Sequence, residues 1–262
     1  MNDDTEIREF WFESNATRLF AVESGRGQPI ILLHGGLANH QSCRMFAASL
    51  APRFRLITPD LRASGRSVHA GPLDWDQLAD DVAALVRHLA LPRAVIGGAS
   101  FGAGCAVRAA LRHPGLTAAL VVLTPAYAGA DVGFTPAQDA AMQAMAAAGS
   151  RTLVEGTAAL HPLFTALPPD VQARARALVA TYDPASVVAS TRFMASAAQP
   201  FATAGELAAI TVPTLLVPGH DPTHPAEVSE HYRRWLPRCT VRDAEPAGFA
   251  AAIADFVDRE LG

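Results

Sequence analysis

Lysine is absent: all 21 cationic side chains among the 262 residues are arginines. Without that amine there is no Schiff base, no lysine-anchored pyridoxal phosphate and no P-loop lysine for nucleotide phosphates. Cysteine is scarce. Cys43, Cys105 and Cys239 are an odd set without C-x-x-C spacing, which argues against a disulfide framework or a structural zinc site. Positive excess is lacking too. Asp and Glu number 25 against 21 arginines, for a net charge of −4, so there is no electrostatic footprint for nucleic acid. The longest apolar runs, such as 118–123, fall far short of the ~20 residues that cross a bilayer. The opening MNDDTEIREF is acidic and has no apolar h-region, so no signal peptide is expected. These absences predict a soluble cytoplasmic protein with reduced thiols.

Half of the residues are hydrophobic and 18% are charged, the balance of a globular chain with a large core. Short apolar runs alternate with helical stretches. PIILL at 29–33, RLIT at 55–58, AVIGG at 94–98, LVVL at 120–123 and TLLV at 214–217 are apolar on both faces. Such runs suit central strands of a parallel sheet covered on two sides. Residues 78–89, 101–111, 226–235 and 249–261 have helical character, and 9–13 with 18–23 read as an antiparallel edge pair. The alternation predicts an α/β fold with a doubly wound, mostly parallel sheet. Residues 129–206 break it. This Ala-rich stretch carries Met142, Met145, Phe193 and turn signals at Pro168-Pro169 and Asp183-Pro184. It reads as three to five inserted helices, either extra packing or a lid over the crevice. The domain division is therefore 1–128 with 207–262 as core and 129–206 as a helical cap.

In such sheets ligands bind at the carboxyl ends of the strands, and the motifs lie there. Gly98-Ala99-Ser100-Phe101-Gly102 fits G-x-S-x-G between a strand and a helix. A serine on so sharp a turn needs small neighbours two residues away on either side, and Gly98 and Gly102 supply them. The other reading is a turn chosen for close helix–sheet packing. After the first central strand, His34-Gly35-Gly36 can turn an amide toward the crevice; Gly36 and Phe101 would then be two oxyanion donors. The His34 ring reads as a tie for that loop, and its position, like that of Leu37, borders the substrate space. Met142, Met145 and Phe193 of the insertion would face the same space. In DLRASGRS, Asp60 and Arg62 read as loop-holding charges, with anion binding by Arg62 or Arg66 as the alternative. Trp75 and Trp235 read as helix packing anchors, and Cys105 as buried and inert.

The HGG turn, the DLRASGRS loop, the GASFG elbow, the helical insertion and the VPTLLVPGHDPTHP segment together resemble the α/β-hydrolase superfamily, over residues 8–262. The resemblance implies Ser100 as nucleophile, backbone oxyanion donors at Gly36 and Phe101, and an acid after the 214–217 strand. Asp221 fits that acid as D-x-x-x-P with Pro225, with a helix-cap carboxylate as the other reading and Asp131 as the fallback. It also implies hydrolysis of an ester or lactone with no cofactor, no metal and a small molecule as partner; nucleic acid and membrane are not expected partners.

One element of the family pattern fails. Its members carry a histidine after the last strand, but here the last histidine is His231. The final strand, at 240–242, runs through Asp243-Ala244-Glu245-Pro246 almost directly into the last helix. A serine hydroxyl is a poor nucleophile without a base. Three explanations remain open. His224, His220 or His40 substitutes; a carboxylate such as Asp221 acts itself; or the site no longer hydrolyses, and serves a lyase, isomerase or cyclase step or simply binds a ligand.

Overall fold

A computed structural model describes residues 6–196 and 198–262. Met1–Thr5 of the acidic opening stretch lie outside the described residues. Eight strands form one sheet in the order β1-β2-β4-β3-β5-β6-β7-β8. The edge pair β1 (Arg8–Ser14) and β2 (Thr17–Ser24) is antiparallel, and β2 also meets β4 antiparallel. The other strands, β3 (Pro29–Leu33), β4 (Arg55–Pro59), β5 (Ala94–Ala99), β6 (Thr117–Leu123), β7 (Thr214–Val217) and β8 (Cys239–Val241), pair in parallel. The predicted α/β architecture is the observed one.

The apolar strands are buried on both sides because helices cover both faces. Toward α2 (Trp75–His88), α3 (Phe101–Arg112) and α7 (Ala226–Trp235), Ile31, Leu33, Ile96, Leu120 and Val122 form the larger core. Toward α1 (His40–Ala47) and α8 (Phe249–Leu261), Ile30, Leu32, Val95, Val121 and Leu215 form the other. Each fully buried Leu, Ile or Val contributes about 1.5–3 kcal/mol of transfer free energy. Alternate strand residues therefore anchor the sheet to opposite layers.

Element ends moved where caps or close packing outweigh apolar periodicity. Helix α2 begins at Trp75, three residues before its first apolar repeat, because the Asp74 carboxylate accepts the Gln77 amide at 2.7 Å. Helix α1 was not predicted; Asn39 caps it, accepting the Gln41 amide at 2.9 Å. Strand β6 starts at Thr117 instead of residue 120, and β8 one residue earlier than expected. Trp235 is a correction. It is 39% exposed at the end of α7 under the Arg234 guanidinium, so it anchors no core.

Between β6 and β7 the chain forms α4 (Pro136–Glu155), α5 (Pro169–Val179) and α6 (Pro184–Met194), with 3-10 turns between and after them. Leu160, Val179, Tyr182 and Val187 give these helices a small core of their own. Helix α6 reaches back to the sheet: Met194 rests against Gly36, and Phe193 packs on Trp75 and Phe101. Among the described residues no helix is long and apolar enough to cross a membrane.

Candidate active site

Ser100 stands between β5 and α3 with φ 55° and ψ −115°. Non-glycine residues adopt such a conformation only when their surroundings enforce it. The Ser100 amide donates to the Leu123 carbonyl at 3.0 Å, which ties the turn to β6. A β-carbon on Gly98 would run into the Gly102 backbone, and one on Gly102 into the Leu33 and His34 carbonyls. The glycines at both ends of the motif are thus a steric requirement of the turn. Ser100 stays half-buried, open to the strand-end crevice.

The side chain facing Ser100 comes from the turn after β7. His224 Nε2 accepts the Ser100 Oγ hydrogen bond at 2.8 Å. On the far side of the ring, His224 Nδ1 donates to Asp221 Oδ2 at 2.8 Å. Asp221 and His224 are only three residues apart. Asp221-Pro222-Thr223-His224 is a tight turn in which the His224 amide donates to the Asp221 carbonyl at 3.0 Å. The other carboxylate oxygen of Asp221 accepts the Thr223 amide at 2.8 Å, the Thr223 hydroxyl at 2.6 Å and the His224 amide at 3.0 Å. Burial alone would raise the Asp221 pKa. The bonds from Thr223 and His224 outweigh it and bring the carboxyl down to about 2. Asp221 therefore stays ionised and fixes the proton of His224 on Nδ1, leaving Nε2 free to accept.

The glycine turn after β3 is built differently. His34 is fully buried: its Nδ1 donates to the Gly35 carbonyl at 2.8 Å, and its Nε2 accepts the Leu61 amide at 3.0 Å. Burial lowers its pKa and keeps it neutral. The expectation that His34 touches substrate is corrected, because both ring nitrogens are spent within the protein. Asp60 lies behind it. One oxygen accepts the His40 amide and ring Nδ1, both at 2.7 Å, and the other accepts the Arg66 amide at 2.8 Å. His40 is thereby tied to Asp60, away from Ser100. Arg62 is buried in a two-pronged pair with Asp81, at 2.9 and 2.7 Å, which makes it a loop anchor rather than an anion site.

Several further positions resolve. His220 meets Asp243 at 3.2 Å on the surface. Asp131 is exposed after β6, and the imidazole facing Ser100 pairs with Asp221 instead. Met142 is buried, and Met145 and Phe193 are half-buried against the same core as Phe101. Leu37 is half-buried just after the glycine turn. Phe101 opens α3, whose first amides have no intrahelical acceptor. One contributor went unread in the sequence. The Gln138 side chain, fully buried at the start of α4, donates to the Ala126 carbonyl at 2.8 Å and the Thr223 carbonyl at 3.1 Å. It clasps the inserted helices to the turn that carries His224. The only signal was the capping pair Thr135 and Gln138.

A hydroxyl at a positive-φ strand–helix turn, backed by an imidazole and an ionised carboxylate, defines the nucleophile-elbow class of parallel-sheet proteins. A family model for the alpha/beta hydrolase fold matches residues 28–255, and the chain belongs to that family. The AB hydrolase superfamily protein YisY of Bacillus subtilis (strain 168) is 38% identical over 112 residues, 42% of each chain. The chain thus matches less than half the length of that curated relative. Among solved structures, a thermophilic esterase from Thermogutta terrifontis superposes with a TM-score of 0.80 at 23% identity, over 97% of this chain and 100% of that one. The enol-lactonase from Burkholderia xenovorans LB400 gives 0.78 at 20% identity, over 95% and 100%. At these identities the likeness establishes the fold.

Proposed function

We propose that this protein is a cofactor-independent hydrolase of a largely apolar carboxylic ester or lactone, with Ser100 as nucleophile. The observation that carries the reading is the pair of 2.8 Å bonds from Ser100 Oγ to His224 Nε2 and from His224 Nδ1 to Asp221. In this mechanism His224 takes the Ser100 proton as Oγ attacks the ester carbonyl. The Gly36 and Phe101 amides stabilise the oxyanion. His224 then hands the proton to the leaving alkoxide as the C–O bond breaks, leaving an acyl-serine. Water attacks that ester, His224 accepts its proton, and the acid departs with Ser100 regenerated. Asp221 holds the ring and stabilises the imidazolium. The inserted helices form a lid, supported by Met194 against Gly36 and Phe193 beside Phe101. The esterase and lactonase names of structural neighbours accord with this chemistry.

The test pairs covalent labelling by a fluorophosphonate with hydrolysis of p-nitrophenyl butyrate. Wild type is expected to label and to turn over. Ser100→Ala is expected to do neither, and His224→Asn to lose about 10⁴–10⁶ in kcat. Full turnover in either variant removes the serine mechanism.

A further inference from the structure

An apolar groove opens just past the glycine turn that follows β3, at Leu37 and Ala38. It runs between α1, α5 and the Pro246–Gly248 turn and has a volume of about 710 Å³. Leu37, Met45, Phe46, Val171, Leu178 and Pro246 line it. Met45 is 65% and Val171 38% exposed, so large apolar side chains face water on both walls. Arg174, on the same wall, has Asp170 beside it at 3.7 Å, so its charge is partly balanced by a neighbouring carboxylate.

We propose that this groove holds the acyl chain of the substrate, and that the chain is a medium-length aliphatic one; this rests on the Ser100 hydrolase reading. One observation joins the groove to the reaction centre and two describe its surroundings. The half-buried strip Gly35–Ala38 leads from the serine to the groove, because a β-carbon on Gly35 would lie 3.6 Å from Ser100 Cβ while Leu37 and Ala38 form the groove wall. Ala99, next to Ser100, and Phe46, in the groove wall, sit on the rim of the same hydrophobic cluster. The connection from β8 to α8 is short, so Pro246 and Ala247 border open volume instead of a longer loop filling it.

The orientation follows from proton transfer. The leaving oxygen must lie beside His224 Nε2, which is delivered from the end of β7. In the sheet, β3 lies on the opposite side of β5 from β7. The groove starts at Leu37, just past β3, and so receives the carbonyl's carbon chain rather than the leaving group. The volume falls in the range of small-molecule sites and exceeds what an acetyl or butyryl group would fill.

A p-nitrophenyl ester series tests this. In wild type, kcat/KM is expected to rise about threefold per added methylene from butyrate to octanoate. Ala175→Trp, which fills the groove from α5, should cut octanoate turnover at least tenfold and leave acetate within about twofold. Met45→Glu, on the exposed wall of α1, should act in the same direction without touching the core. Decanoate binding to Ser100→Ala, read by calorimetry, supplies a measurement independent of turnover. Binding that weakens at least tenfold in Ser100→Ala/Ala175→Trp supports the groove even if no ester is hydrolysed, a result that would remove only the hydrolase reading. A flat chain-length profile in an active enzyme overturns the proposal, as does decanoate binding indifferent to both substitutions.

Discussion

The turns after β3 and β7 end at the same rim and are held by opposite means. The glycine turn after β3 depends on a buried network in which its own His34 and the nearby His40 are held by Leu61 and Asp60 from a stretch of chain 20 or more residues away, and the Asp60 side chain is fully buried. The turn after β7 is held mostly by its own residues, with one outside bond from Gln138 to the Thr223 carbonyl. Within five residues it contains its carboxylate, its imidazole and two flanking prolines, Pro222 and Pro225, and the Asp221 side chain is 56% exposed. The first arrangement couples the loop to global stability. The second lets a carboxylate and an imidazole sit near water at small cost to the fold, because most of their bonds are local.

The comparison can be broken from either end. The largest effect is expected from Asp221→Asn, which removes the charge that fixes the His224 tautomer. Its kcat should fall about 10³–10⁴-fold, while Tm moves by no more than about 2 °C. Asp60→Asn should do the reverse of that stability result. Replacing a buried carboxylate that accepts three N–H donors costs about 2–4 kcal/mol, a Tm loss of about 5–10 °C in thermal unfolding. Gln138→Met removes the one outside bond described for the turn after β7. Losing its bond to Thr223 should lower kcat about tenfold with KM little changed, since the His224 turn relaxes while the groove stays intact.

The smallest effect is in pH. The Asp221 carboxyl is depressed to about 2 from a usual 3.8. Its ionised form therefore stabilises the fold fully above about pH 4, and that contribution is lost as pH falls toward 2. Solvent screening at this exposed side chain keeps it modest. The Tm gap between wild type and Asp221→Asn should narrow over that window. A gap that widens on acidification would show that the carboxyl is not held ionised by its neighbours.

The sequence displayed the sheet because its central strands are apolar on both faces, and it displayed Ser100 because the steric demands of the elbow leave two glycines in print. It also named His224 and Asp221, but not their relation. Three residues of separation say nothing about whether two side chains share a turn and converge or point apart, and the tight turn at Asp221-Pro222-Thr223-His224 decides that. For His34 the reading of its ring as a tie for the loop holds, through Gly35 and the Leu61 amide, while the expectation of substrate contact fails because a histidine beside a crevice looks the same in sequence whether its ring faces inward or outward. Gln138 was invisible because its partners, two carbonyl oxygens at Ala126 and Thr223, belong to backbone, which carries no residue-type signature.

The short, largely self-contained turn also has a consequence for inheritance. The proposed acid and base, encoded within a dozen nucleotides, travel together through almost any recombination event, and most of the bonds that bring them into register travel with them. In the proposed mechanism the connection that follows β8 carries no catalytic residue, and is free to shrink, grow or change composition under selection for what it borders.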